Sequence, residues 1–197
     1  SEYILNRIDL SDLMISRGVV DALDHSSNKF GVGGKLGIDC TGKELDTNDI
    51  ELLEDAELLV RMGDLTTEIV DLKQYFTHTK NPVCIVKVQK ERAQKEVFAT
   101  LKPLLEHLKI LIIVDEKNNS VDNPYMLIWR VVNNIDSNRD FYFEQNRLCI
   151  DATNKNTLDG FTRRWPDDVS CAKNVIKSLK DKKIIEIDDA FEQKFLL

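Results

Sequence analysis

The run Asp24-His25-Ser26-Ser27 sets a histidine beside a carboxylate in a polar cluster. A histidine so placed can act as a general base, bind a metal or contact a substrate. It can equally be a turn residue, and the residues alone leave both readings open. Asp115, Glu116 and Asp122 flank a second polar stretch, and paired carboxylates there could do acid–base work. Acidic turns and helix caps are the commoner origin of such groups. Arg163-Arg164-Trp165 could hold an anion, although a surface or subunit contact is the simpler reading in a chain of net charge −7. His78 and His107 have no partners at metal-ligand spacing, which argues against zinc. A serine-hydrolase elbow, G-x-S-x-G, is absent.

Glycines form one further candidate, Gly31-Val32-Gly33-Gly34-Lys35-Leu36-Gly37. A dinucleotide fingerprint needs G-x-G-x-x-G between a strand and a helix. Here the third glycine falls one position late and a strand is predicted to follow. A phosphate-binding P-loop needs Ser or Thr after Gly-Lys, and Leu36 stands there. The expectation is a tight loop that glycine permits.

The elements that must position these groups are clearest in the middle of the chain. Val83 to Val88 is a β-branched run of strand length opened by Asn81-Pro82. From Glu91 to Leu108 an apolar stripe predicts a helix, broken near Pro103. Ile110 to Val114 is apolar on both faces, as suits a buried parallel strand. Strand, helix and strand make a βαβ unit, and Asp115 then falls at a strand's C-terminal end, where α/β folds place ligands. Asn123-Pro124 predicts a capped helix to about Asn134, followed by strands near Phe141–Phe143 and Leu148–Ile150. Another helix is expected from Asp167 and Asp168 to Lys180, with Lys180 to Lys183 a solvated end. The tail, with Phe191, Phe195, Leu196 and Leu197, is too apolar to stay in water and should pack on its own core or on a second subunit. Earlier in the chain, Val19 to Leu23 starts a short helix and Leu36 to Asp39 reads as a strand. Asn48 or Asp49 caps a helix through Met62, stopped by Gly63. Asp64 to Lys80 is the expected seam.

Two blocks echo each other: Lys35 to Lys43, containing Ile38-Asp39-Cys40-Thr41, and Arg147 to Lys155, containing Ile150-Asp151-Ala152-Thr153. Asn6-Arg7-Ile8-Asp9 and Asn133-Asn134-Ile135-Asp136 precede them in the same order. The expected fold is therefore α/β: a layered βαβ domain with a mainly parallel or mixed sheet, helices on its faces and a weak internal repeat. One domain over residues 1–197 is expected, with halves of about 1–65 and 80–185 and a tail of 186–197.

Composition narrows the function classes. Lys plus Arg number 27 against 34 Asp plus Glu among 197 residues, an acidic balance unlike that of nucleic-acid or membrane-surface proteins. A chain of this length buries roughly 70% of its unfolded surface and needs no staple. The four cysteines, Cys40, Cys84, Cys149 and Cys171, contain no C-x-x-C pair, so a reducing cytoplasm is expected rather than a disulfide framework. No signal peptide or bilayer-length apolar run is visible. The chain begins Ser1-Glu2-Tyr3 without Met, as expected of a piece of a longer polypeptide, cut by design or by proteolysis.

Ile150-Asp151-Ala152-Thr153-Asn154-Lys155, followed by Arg163-Arg164-Trp165-Pro166, resembles the C-terminal domain of the UbiD family of decarboxylases. Trp129, Asn134-Ile135-Asp136 and Arg139-Asp140 look like that family's helix and following turn, and the stretch from Ala22 to Asp39 is similar to it as well. The wording is closest to members of menaquinone biosynthesis; members acting on 3-polyprenyl-4-hydroxybenzoate in ubiquinone synthesis look similar too. The resemblance implies reversible, non-oxidative decarboxylation of an aromatic or α,β-unsaturated acid. It also implies prenylated FMN as electron sink, with a divalent metal such as manganese and a Glu-Arg-Glu acid–base network. The family's E-x-P-x-G-E segment and its flavin- and metal-binding segments precede this region and are absent here.

The resemblance thus implies a C-terminal part with no catalytic, cofactor or metal residues of its own. Its partners would be the missing N-terminal and flavin-binding domains and a second copy in a homo-oligomer. No nucleic acid is expected, and membrane association only peripherally, through a lipophilic substrate. Leu23, Asp24 and His25 are expected in the substrate-pocket wall. The competing expectation is a stand-alone α/β ligand-binding or oligomerisation module sharing only the scaffold; a nucleotide-binding protein ranks third.

Overall fold

The computed structural model describes residues 1–46 and 49–195. A short helix α1 (Glu2–Leu5) leads into an antiparallel ribbon, β1 (Met14–Val19) and β2 (Val32–Gly37). Helix α2 (Asp55–Leu65) then precedes β3 (Ile69–Tyr75) and β4 (Val83–Val88). Helix α3 (Gln94–Thr100) and a 3-10 turn over Lys102–His107 return the chain to β5 (Ile110–Asp115). Helix α4 (Pro124–Asn134), the hairpin β6 (Phe141–Glu144) and β7 (Arg147–Asp151), and helices α5 (Lys173–Asp181) and α6 (Asp189–Lys194) complete the chain.

Five strands form one mixed sheet in the order β3-β4-β5-β7-β6. Its centre is parallel, β4 with β5 and β5 with β7, while each edge strand runs antiparallel to its neighbour. Alternation splits the side chains between two apolar layers. Cys84, Val86, Val88, Leu111, Ile113 and Cys149 join Leu58 and Met62 of α2 and Val97 and Phe98 of α3. On the other face, Ile85 and Val114 meet Leu127 of α4, while Ile110 and Leu148 meet Leu5, Ile8 and Leu10 of the N-terminal segment. The α/β sandwich with a mixed sheet and helices on its faces matches the expected fold class.

The central expectations hold closely. Asn123 accepts from the Met126 N–H at the start of α4, and the helix stops at Asn134. The Pro103 break falls where α3 gives way to the 3-10 turn. Several expectations are corrected. The helix expected from Asn48 or Asp49 begins at Asp55 instead, and Asn48 lies outside the described residues. Tertiary contacts hold the preceding stretch extended: Lys109 and Arg147 both bond Asp49, and the Glu51 N–H donates to the Glu106 carbonyl. That helix also runs through Gly63 to Leu65. The helix expected from Asp167 begins at Lys173, because Arg130 and Asn118 both draw the Asp168 carboxylate away. Val19 to Leu23 is strand end and turn rather than helix, paired through Val19 with Val32.

The glycine-rich stretch is strand β2 rather than a loop; it includes Leu36 and Gly37 of the strand expected over Leu36–Asp39 and ends there. A Cβ at Gly33 would lie 3.2 Å from the Ser27 Cβ, and one at Gly34 only 2.5 Å from the Ser137 Oγ. Glycine here allows close packing of a strand. Between Asp64 and Lys80, where no element was predicted, β3 pairs with β4. The echo between Lys35–Lys43 and Arg147–Lys155 is local: Thr41 bonds Asp39 through N–H and hydroxyl just as Thr153 bonds Asp151. Sheet surroundings differ, since β2 has one antiparallel partner and β7 lies between β5 and β6.

Candidate functional site

The loop joining β1 to β2 carries Leu23, Asp24 and His25. Leu23 is 89% exposed, at the outer surface of the loop. The Asp24 carboxylate is turned into the loop, where its Oδ1 accepts from the Ser26 N–H at 2.9 Å and hydroxyl at 2.6 Å. His25 is half-buried and meets the Trp165 ring edge to face at 5.0 Å, and Trp165 in turn meets Phe161 at 5.3 Å. Burial lowers the His25 pKa below its ordinary value; Asp24 opposes the shift and Arg163 adds to it.

Two arginines from distant segments hold that loop by its backbone. Arg139, in the turn before β6, donates from Nη1 to the Ser26 carbonyl at 2.6 Å. Its Nε and Nη2 both bond Asp140 at 2.7 Å, a bidentate pair. Arg163 donates to the Ser27 carbonyl at 3.0 Å. The Gly34 N–H reaches Asp136 Oδ1 at 3.1 Å, fixing β2 to the same turn. Arg163, half-buried, thus spends one donor on the loop, while Arg164 pairs with Asp167 at the surface.

Behind Arg139 lies a buried charge network at the C-terminal edge of the parallel strands. Lys155 Nζ stands 2.9 Å from Asp151 and 3.6 Å from Asp140, and it donates to the carbonyls of Asp151 and Thr153. All three side chains are essentially unexposed. Burial alone would raise the Asp151 pKa, but Lys155, Lys90 and the Thr153 hydroxyl outweigh it and hold that carboxyl below its ordinary value. Lys90, following β4, bonds Thr153, Asn154 and Asp159. Asp115 accepts from the Asn154 N–H at 2.7 Å, and burial raises its pKa.

Asp115, Glu116 and Asp122 are not assembled as an acid–base pair. Glu116 bonds Gln89 and Asp122 bonds Lys73. Beside them, Asn118, Asn119, Ser120, Asp122 and Asn123 with Gln193 and Lys194 of α6 line an open polar pocket of about 550 Å³. His78 pairs with Glu2 and His107 with the Glu51 carbonyl. Among the described residues no three His, Cys, Asp or Glu side chains gather to hold a metal ion. The one glycine-rich segment is a paired strand rather than a phosphate cradle. The sequence singled out Asp115 as a strand-end carboxylate and Asp151 and Lys155 as part of the family-like motif, but not Lys90 or the network they form; the shared signal is their position at or just after the C-terminal ends of three parallel strands.

Residues 48–176, more than half of the chain, match the profile of the 3-octaprenyl-4-hydroxybenzoate carboxy-lyase C-terminal domain, UbiD_C. The chain belongs to that family. UbiD-class proteins also supply its structural likenesses. An evolved dimeric form of the UbiD-class enzyme HmfF from Pelotomaculum thermopropionicum, solved with prFMN, is similar at a TM-score of 0.50 and 17% identity, over 65% of this chain and 29% of that one. The vanillic acid decarboxylase of Sedimentibacter hydroxybenzoicus, in open form with truncated ShVdcD, gives 0.50 and 16% over 66% and 31%. These two show the fold. Uncharacterized proteins of two Helicobacter pylori strains are 45% identical over 199 residues, covering 100% of this chain and 32% of each relative. The chain thus spans about a third of the length of these relatives. No helix among the described residues is long and apolar enough to cross a membrane.

Proposed function

We propose that this chain is the C-terminal α/β domain of a UbiD-like decarboxylase. The full-length enzyme removes CO2 non-oxidatively from an aromatic carboxylate in menaquinone or ubiquinone biosynthesis. The domain comprises halves of about 1–65 and 80–185 with a packing tail of 186–197. It closes one side of the active site with Leu23, Asp24 and His25 and supports a cytoplasmic homo-oligomer. Prenylated FMN and a divalent metal such as manganese are held by the rest of the polypeptide. The family match over residues 48–176 carries this reading.

Three further observations support it. Relatives at 45% identity are about three times as long as this chain. The Pelotomaculum neighbour was solved with prFMN. The ribbon and its loop leave Met14, Val19, Leu23, Phe30 and Val32 between 48% and 89% exposed, an apolar surface suited to burial against the remaining domains.

The test is flavin absorbance after purification. The full-length protein is expected to carry it and residues 1–197 alone to lack it. FMN retained by residues 1–197, or a rise in their melting temperature on adding FMN, favours a self-sufficient ligand-binding module instead.

A further inference from the structure

We propose that Arg139 and Arg163 form a two-point clamp, positioning residues that set the His25 loop through the Ser26 and Ser27 carbonyls. The functional half of this inference rests on the reading that the loop walls a substrate pocket. Both loop residues are buried, Ser26 at 3% and Ser27 at 1% exposure, yet among the described residues neither side chain hydrogen-bonds another element. The Ser26 hydroxyl bonds Asp24 and the Ser27 hydroxyl bonds the Lys29 carbonyl, both inside the loop. Contact with the domain passes instead through consecutive backbone carbonyls, each met by a guanidinium. Such a clamp fixes the loop's position while leaving the outward side chain of Leu23 free and His25 seated against Trp165.

The two arginines are anchored differently. Arg139 stands on Asp140, which is fixed by the Asp136 N–H at 2.7 Å and by Lys155. Its guanidinium also lies over the Phe161 ring, 5.6 Å from the centroid. That arm transmits the position of the sheet's C-terminal edge to the loop. Arg163 is only two residues from Phe161 and two from Trp165, the ring against which His25 rests. Ring contact and hydrogen bond therefore come from one short segment, so the loop and residues 161–165 move together. Loss of Arg139 would also strip a partner from the wholly buried Asp140, so Arg163 is the cleaner probe.

The experiment compares wild type, Arg163→Gln and Arg163→Lys in the full-length protein. Hydrogen exchange of peptides spanning residues 20–33 reads the clamp, and the kinetics of 3-prenyl-4-hydroxybenzoate decarboxylation read the pocket. In Arg163→Gln, exchange is expected to rise about tenfold, and KM about tenfold with kcat within twofold, the loss of one charge-assisted hydrogen bond. Arg163→Lys, which keeps a cationic donor, restores both. Unchanged exchange in Arg163→Gln overturns the clamp. Faster exchange with unchanged KM leaves the clamp standing and overturns the pocket-wall reading. A raised KM with unchanged exchange makes Arg163 a substrate contact and overturns its positioning role.

Discussion

Lys155 is fully buried between Asp151 and Asp140, the second of which Arg139 also pairs. Desolvating ions is costly, and removing Lys155 takes the nearest cation from the buried Asp151 carboxylate. Lys155→Met should therefore destabilise the fold by about 3–5 kcal/mol in denaturant unfolding. Arg164→Ala, which breaks a pair whose side chains are 84% and 88% exposed, should change it by less than about 0.5 kcal/mol. His25 gives a pH prediction. Its folded pKa lies below the ordinary 6.5, so the unfolded chain takes up the proton first as pH falls. Its stabilising contribution is complete above pH 6.5 and is lost between 6.5 and the lower folded value. An NMR titration should place the His25 midpoint below 6.5; a midpoint above it would mean that Asp24 outweighs burial against Trp165.

Elements with strong local signals were legible. In α4 the Asn-Pro start, the apolar stripe and the stop agreed, and the structure follows them. The buried runs of β4 and β5 left no alternative partner for their two apolar faces. Where tertiary contacts decided, the sequence misled: Asp49 and Asp168 looked like helix caps and are arginine partners instead. Gly33 and Gly34 looked like a turn and are strand positions pressed against other segments. His25, by contrast, was visible as a residue, but its setting was not, because Trp165 and Arg163 arrive from 140 and 138 positions away. Glycine substitutions separate these cases. Gly34→Ala should lower stability by about 1–3 kcal/mol, because its Cβ would strike Ser137 and Asn138. Gly63→Ala in α2 meets nothing within 4 Å and should raise it by about 0.5–1 kcal/mol. Thermal melts of both variants check the signs.

At the scale of the whole molecule, the sheet is covered on both faces, whereas the β1–β2 ribbon is a two-stranded unit with outward apolar side chains. A ribbon of that kind is marginal alone. Here Asp136, Arg139 and Arg163 tie it down from one side, leaving the other available to the domains expected to precede this one. Charged groups in this chain are spent on internal pairing: Lys90, Lys155, Arg130, Arg139 and Arg147 each meet a carboxylate. The most direct measurement is CO2 release from 3-prenyl-4-hydroxybenzoate, made in parallel on the full-length protein with its flavin and on residues 1–197 alone. The account predicts release by the first and none by the second; release by residues 1–197 alone would contradict it.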